Sequence, residues 1–262
     1  MSEGGKLAGR HALVTGGGSG IGAAIARALA EAGATVTLAG RTIARLEGTL
    51  AGLPGPAPHG CVPIDVTDGE SVRAGFAAAE AERGPIDILI ANAGAAPSAP
   101  YTRIDRAAWD QALAVNATGA FLCMQAALPG MVKRGRGRVV AVASTAGLKG
   151  YGYVAHYVAA KHAVIGTVRA LAAEVAGSPV TVNAVCPGFT ETPLLDGAVD
   201  TIVSKTGRSA EEARAALARS NPQGRLVKPE EVADAVLWLV GDGAASITGQ
   251  AIVVAGGEVM AG

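Results

Sequence analysis

Four tyrosines occur in the chain, and only one has a lysine four residues later, in Tyr157-Val158-Ala159-Ala160-Lys161. On a helix that spacing puts both side chains on one face. A phenol with a pKa near 10 exchanges protons poorly at neutral pH. A nearby ammonium favours the phenolate: at about 4 Å and an effective dielectric near 20 the attraction is roughly 4 kcal/mol. That is at most about three pKa units, enough to make the pair a candidate general acid/base. Ser144 and Thr145 close a strand-like run, where open α/β sheets place their ligand crevice. Ser144 either donates to a substrate oxygen or ends a turn. Asn116 stands within a long helical stretch, where an amide has poor propensity. It marks a local kink, a bound water or an exposed helix position.

A second constellation lies near the start. Thr15-Gly16-Gly17-Gly18-Ser19-Gly20-Ile21-Gly22 follows the first predicted strand and opens the first predicted helix. Glycines allow a sharp turn and a close approach to a pyrophosphate, and the helix start supplies amides and positive dipole. Gly16, Gly18, Ser19, Gly20 and Ile21 are therefore candidate cofactor contacts. After the second strand an acidic residue would accept from the ribose 2′-hydroxyl of NAD. The chain instead reads Ala39-Gly40-Arg41-Thr42, and Arg41 suits the 2′-phosphate of NADP, or else begins a surface helix. This reading favours NADP(H) over NAD(H). Asp65, after the third strand, is a candidate adenine contact or a turn residue.

These residues need a frame, and the hydropathy pattern supplies one. Strands are predicted over 11–15, 35–39, 61–64, 86–91, 138–143, 180–185 and 251–254, with helices over 20–32, 43–50, 71–83, 106–133, 154–175, 210–219 and 229–240. Thr67 to Glu70 and Ser209 to Glu212 fit capping boxes. Gly33 fits a helix end and Pro229 a first helical position. Apolar strands joined by helices mean an α/β chain with a doubly wound parallel sheet covered on both faces. No linker or repeat divides it, so residues 1–262 read as one domain. Residues 191–225 carry more charge and form either a solvated excursion or a lid over a substrate.

Composition narrows the function. Lys and Arg balance Asp and Glu at 22 each, which argues against nucleic acid or an anionic membrane as partner. Half the residues are apolar and only 3% are aromatic, so the core must be built from Ala, Val, Leu and Ile. Cys61, Cys123 and Cys186 lack metal-ligand or disulfide spacing and read as reduced thiols, with no metal site expected. Behind Met1–Lys6 no long apolar run follows, and stretches such as 235–240 fall short of the roughly 20 residues of a membrane span. A cytoplasmic protein is expected.

Taken together, the sequence resembles the short-chain dehydrogenase/reductase family along nearly its whole length. The resemblance rests on Thr15-Gly16 through Gly22, Asp65-Val66, Asn92-Ala93-Gly94, Asn116, Ser144, Tyr157 to Lys161, and Pro187-Gly188 followed by Thr192. Many members have two Asn before Ala-Gly; here Ala91 precedes Asn92. The resemblance implies a Rossmann fold and a catalytic tetrad of Asn116, Ser144, Tyr157 and Lys161. It implies that Tyr157 gives a proton to a carbonyl oxygen oriented by Ser144 as hydride arrives. Lys161 would hold the nicotinamide ribose and Asn116 a relaying water. Asn92, Ala93 and Gly94 would lie along the cofactor with Val66, Pro187 and Gly188, and Thr192 would hold the carboxamide.

The runs 182–193 and 224–233 look like those of 3-oxoacyl thioester reductases, and Ser144–Gly147 with Lys161-His162 is similar to polyketide ketoreductases. The expected reaction is NADPH-dependent reduction of a 3-oxoacyl thioester on coenzyme A or a carrier protein. Alternatives are a free ketone, secondary alcohol, sugar or steroid, and, remotely, a regulator that binds nucleotide without catalysis. Lys205, Arg208 and Arg214 either meet thioester phosphates or form a solvated face. Tyr151 and Tyr153 are expected at the pocket mouth, with Leu194, Leu195 and Trp109 beside them. His156 and His162 are read as helix residues without chemistry. The resemblance further implies a homotetramer joined by the helices near 106–133 and 154–175, where Ala155, Ala159 and Ala163 allow close approach.

Overall fold

The computed structural model describes residues 5–260; Met1–Gly4, where no leader is expected, and Ala261–Gly262 lie outside the described residues. Seven strands form one parallel sheet: β1 His11–Thr15, β2 Thr35–Gly40, β3 Gly60–Pro63, β4 Ile86–Ala91, β5 Gly137–Val142, β6 Val180–Pro187 and β7 Ala251–Val254. Their order is β3-β2-β1-β4-β5-β6-β7. The chain winds outward from β1 in both directions, so the switch point lies between β1 and β4, where such sheets open a crevice at their carboxyl ends.

Alternate side chains along the strands feed two cores. On one face Ala12, Val14, Ile88, Ile90, Val140 and Val142 pack against α1 (Gly20–Glu31), α2 (Ile43–Leu50) and α9 (Pro229–Val240). On the other, Leu13, Leu89, Val139, Ala141, Val182 and Ala184 meet α3 (Gly69–Arg83), α5 (Gly119–Arg134) and α6 (Ala155–Glu174). Burial on both faces explains why the strands are mostly apolar, with His11, Thr37, Asp87, Arg138, Thr181 and Asn183 among the buried polar exceptions.

Helix ends follow the caps, with one correction. Ser209 and Glu212 form the expected capping box at α8 (Ala210–Ala218), and Pro229 opens α9. Gly33 takes φ +92° just beyond α1, and its amide donates to the Ala30 carbonyl. At α3 the cap is Asp68, not Thr67: the Asp68 carboxylate accepts from the Glu70 amide, while the Thr67 hydroxyl donates to Asp65.

Two larger differences concern the site. The predicted helix over 106–133 is α4 (Arg106–Leu113), a π-helical turn over Ala114–Thr118, then α5. Its run Arg106–Arg134 reaches mean hydropathy 1.3 over 18 residues, yet Cys123, Met124, Ala127 and Met131 are buried in the second core. The charged segment 191–225 holds a helix that the sequence reading lacked, α7 (Pro193–Thr206). With α8 it forms a small core of Leu195, Val199 and Ala213, walled by Phe189, Ile202 and Leu217. The segment is thus an ordered helical pair with its own small core.

Candidate active site and cofactor cleft

The glycine-rich turn is held from below by β4. The Thr15 hydroxyl accepts from the amides of Asn92 and Ala93 at 3.0 and 3.1 Å. The Asn92 side-chain amide donates to the carbonyls of Thr15 at 2.9 Å and Gly16 at 3.3 Å. Gly16 has φ +66°, which a side chain would strain. At Gly22 a Cβ would come 2.3 Å from the Gly16 carbonyl oxygen, so the helix start can approach the turn only as glycine. Ser19, the residue before α1, makes no side-chain cap. The first-turn amides are thus left for another acceptor, and a pyrophosphate fits them.

The expected cofactor contacts divide between the cavity wall, the turn itself and the neighbouring strand ends. Ile21, Asn92, Gly94, Tyr157, Lys161, Pro187, Gly188 and Thr192 line one cavity of about 760 Å³. Gly16, Gly18, Ser19 and Gly20 form the turn beside it, and a Cβ on Gly20 would touch Thr192 at 3.1 Å. Thr192 caps α7, accepting from the Leu195 amide at 3.4 Å. Asp65 is engaged as a turn residue: its Oδ1 accepts from the Thr67 amide and hydroxyl at 2.9 and 2.7 Å. Those bonds, helped by nearby Arg41, hold its carboxyl below the usual range. Val66 is buried against Gly119, and Ala93 is fixed through its amide. Arg41 is exposed at the end of β2. Arg45, which the sequence reading did not single out, lies on α2 with its Cβ 3.1 Å from where a Cβ on Gly18 would stand.

Asn116 from the π-turn, Ser144 from the end of β5, and Tyr157 and Lys161 from one face of α6 meet at the carboxyl end of β5. Asn116 sits in the π-helical turn, 1% exposed, a placement π-turns often have at functional sites. Its amide clamps the loop after β4: Nδ2 donates to the carbonyls of Ala95 at 2.8 Å and Ala112 at 3.0 Å, while Oδ1 accepts from the Ala95 amide at 3.1 Å. A Cβ on Gly94 would meet that Oδ1 at 2.8 Å and Lys161 Nζ at 3.7 Å, so Asn116 and Lys161 both close on the Cβ side of Gly94. Ser144 Oγ accepts from the Ala146 amide at 3.1 Å, leaving its hydrogen for another oxygen. Lys161 Nζ donates to the Val142 carbonyl at 2.8 Å and lies 5.7 Å from the centre of the Tyr157 ring.

The protonation states differ from the sequence-based expectation. Burial pushes the Tyr157 phenol above its ordinary pKa, with Ser144 working in the opposite direction. Burial also lowers the Lys161 ammonium to about 8. In this setting the lysine charge is itself desolvated, and burial of the phenol opposes the lowering expected for a solvated pair. With its pKa raised, the Tyr157 phenol stays protonated at pH 7.

Beyond the tetrad the cavity runs between the loop after β4, the loop before α6 and the inner face of α7. Tyr151, Tyr153, Leu194 and Leu195 line it as expected, joined by Ala198 and Ile202; Trp109 does not. Tyr153 has φ +66°, unusual for a bulky residue, and its carbonyl accepts from the Ala99 amide at 2.8 Å, tying two walls together. Of the basic residues, exposed Lys205 and Arg103 line the cavity, whereas Arg214 pairs with Asp196. His156 is buried outside the cavity wall, and His162 Nδ1 donates to the Val158 carbonyl. The α7 lining had a sequence signal in Thr192-Pro193 and Gly207, which frame an ordinary helix start and stop.

Comparison with known proteins gives the family and the reaction class. A family described as Enoyl-(Acyl carrier protein) reductase matches residues 16–258. The cis-4-hydroxycyclohexanecarboxylate dehydrogenase of Sinomonas cyclohexanicum is 41% identical, over 95% of this chain and 96% of its own. The 3-oxoacyl-[acyl-carrier-protein] reductase of Thermotoga maritima is 36% identical, over 97% of this chain and 100% of its own. A crystal structure of an actinorhodin polyketide ketoreductase variant with NADPH superposes with TM-score 0.91 and 38% identity, covering 95% of this chain and 97% of that one. The chain belongs to the short-chain dehydrogenase/reductase family and is an NAD(P)-dependent oxidoreductase acting on alcohol and carbonyl groups.

Proposed function

We propose that the chain reduces the 3-oxo group of an acyl thioester, with NADPH as its preferred cofactor. The observation that carries this is the placement of two hydroxyl donors, Ser144 and Tyr157, at the wall of a largely apolar cavity whose rim includes Arg103 and Lys205. When bound, the nicotinamide supplies hydride to the carbonyl carbon. Ser144 holds the carbonyl oxygen through its free hydrogen, and Tyr157, neutral at pH 7, gives that oxygen its proton. Lys161, charged below about pH 8, stands behind the phenol and disperses the charge left on it. Asn116 fixes the loop carrying Gly94 and so keeps the cleft at its width. Because its side-chain amide donates to Ala95 and Ala112, a relaying water here would be held by backbone carbonyls rather than by that NH2 group.

Ala95, Ala99, Phe189 and Ile202 suit an acyl chain, and the two rim cations suit the phosphates of its carrier. A free cyclic hydroxy acid is the second reading, favoured by the 41% identical hydroxycyclohexanecarboxylate dehydrogenase. The preference for NADPH rests on exposed Arg41 and the lack of an acid at the end of β2. For assembly, Phe121 and Val132 on α5 are 46% and 41% exposed, and Ala163 and Gly166 are exposed on α6. These faces support a homotetramer, which light scattering checks, and the likeness to the Thermotoga maritima reductase supports a cytoplasmic enzyme. The test of function is NADPH consumption with acetoacetyl-coenzyme A against a panel of free cyclic ketones. Faster turnover of the free ketones overturns the thioester reading.

A further inference from the structure

We infer that Glu258 is a positioning residue for the substrate side of the active site, acting through Tyr151. The inference rests on the ketone-reduction reading and deepens it. Glu258 follows β7, and its side chain is only 1% exposed. Its Oε1 accepts the Tyr151 phenol at 2.6 Å and pairs with Lys149 Nζ at 3.1 Å. Its Oε2 is buried with no partner among the described residues, and a Cβ on Gly188 would meet it at 2.9 Å. The Tyr151 oxygen also lies 2.6 Å from Thr145 Oγ1. A carboxylate only accepts and a phenol has one hydrogen, so Tyr151 donates to Glu258 and Thr145 donates to Tyr151. Lys149 Nζ sits 4.8 Å from the Tyr151 ring centre, and Phe189 meets that ring edge-on at 5.9 Å.

Tyr151 is therefore held by four groups, and its ring is a wall of the reaction cavity. Two of those groups adjoin the site itself: Thr145 follows Ser144, and Phe189 follows Gly188. One carboxylate thus ties the C-terminal segment to both the carbonyl-orienting strand end and the cofactor loop. A buried acid with an unpaired oxygen is a costly way to fill space, and an apolar side chain would fill it at less cost. What the acid adds is direction: it fixes the ring that decides on which side of the carbonyl a substituent can lie. Glu258 accordingly governs substrate affinity and product handedness rather than proton transfer.

The test compares Glu258→Ala, Glu258→Gln, Tyr151→Phe and the double variant Glu258→Ala/Tyr151→Phe in the full chain. It records acetoacetyl-coenzyme A kinetics, the ratio of product enantiomers, NADPH affinity, and ζ-carbon NMR of tyrosine-labelled, NADPH-bound protein. Glu258→Ala is expected to raise KM about tenfold with kcat changed less than about threefold, and to lower the enantiomer ratio. Tyr151→Phe does the same, and the double variant is no worse than either single. Glu258→Gln keeps an acceptor for the phenol and stays within about threefold of wild-type KM. NADPH affinity stays at the wild-type value, and the Tyr151 signal moves in Glu258→Ala. An unmoved signal overturns the inference whatever the substrate, as does an unchanged KM and product ratio in Glu258→Ala. A moved signal in a protein that reduces no ketone supports the Glu258–Tyr151 link and counts against the proposed function alone.

Discussion

Lys161 holds its charge at a cost, and that cost is measurable. Burial brings its pKa from 10.5 down to about 8, a penalty on the charged form of roughly 3 kcal/mol at neutral pH. Lys161→Met removes the charge and keeps an unbranched chain of similar length. It also leaves the Val142 carbonyl without the 2.8 Å bond from Nζ, which costs about 1–2 kcal/mol. The balance leaves the variant roughly 1–2 kcal/mol more stable at pH 7, or roughly 2–8 °C higher in melting temperature for a chain of this size. An ordinary core substitution goes the other way.

The pH dependence carries a second signature. Between about pH 8 and 10.5 the unfolded chain binds a proton that the folded chain has already released, so wild-type stability rises with pH in that window. The penalty is complete below about pH 8. Lys161→Met has no such rise, so its advantage shrinks as pH goes from 7 to 9.5. Thermal unfolding of both proteins at equal concentration and several pH values measures this, and ketone reduction by the variant falls by at least about 100-fold. A variant that is less stable than wild type at pH 7, with the same gap at pH 9.5, would falsify the claim that a desolvated ammonium sits beside Tyr157.

Three further outcomes are expected. Gly22→Ala puts a Cβ 2.3 Å from the Gly16 oxygen and 2.5 Å from Asn92 Nδ2. The turn must shift, costing about 1–3 kcal/mol and weakening NADPH binding at least about tenfold by calorimetry. Gly40→Asp meets only Leu46, at 3.4 Å, so it folds normally and moves the kcat/KM ratio of NADPH to NADH at least about tenfold toward NADH. Steady-state rates against pH separate the two directions. Carbonyl reduction is flat below about pH 8 and falls as Lys161 loses its proton, while alcohol oxidation, which needs the phenolate, climbs on the alkaline side.

Much of this was readable from local rules. The sheet follows from apolar runs spaced by helical segments, and the glycine turn from its place between β1 and α1. Asn116, Ser144, Tyr157 and Lys161, which the family resemblance singled out, lie together at the end of β5. What escaped the sequence depends on three-dimensional neighbours. The π-turn at Asn116 is tied to the Ala95 backbone, 21 residues away in the chain. Glu258 carries no local signal, since its partners Tyr151 and Lys149 lie more than 100 residues away. The direction of the Tyr157 shift was missed for a related reason: spacing locates the lysine but not the solvent that both groups lose. Only α7 was overlooked despite a signal, because the charge of its surroundings masked the Thr192–Gly207 frame.

The most direct test of the central claim follows reduced-nicotinamide absorbance with acetoacetyl-coenzyme A, for wild type and Tyr157→Phe, with NADPH and NADH side by side. The account predicts rapid consumption of NADPH by the wild type, slower consumption of NADH, and a loss of at least about 1000-fold in Tyr157→Phe, with NADPH affinity retained. Turnover in Tyr157→Phe close to that of the wild type would contradict the assignment of Tyr157 as the proton donor.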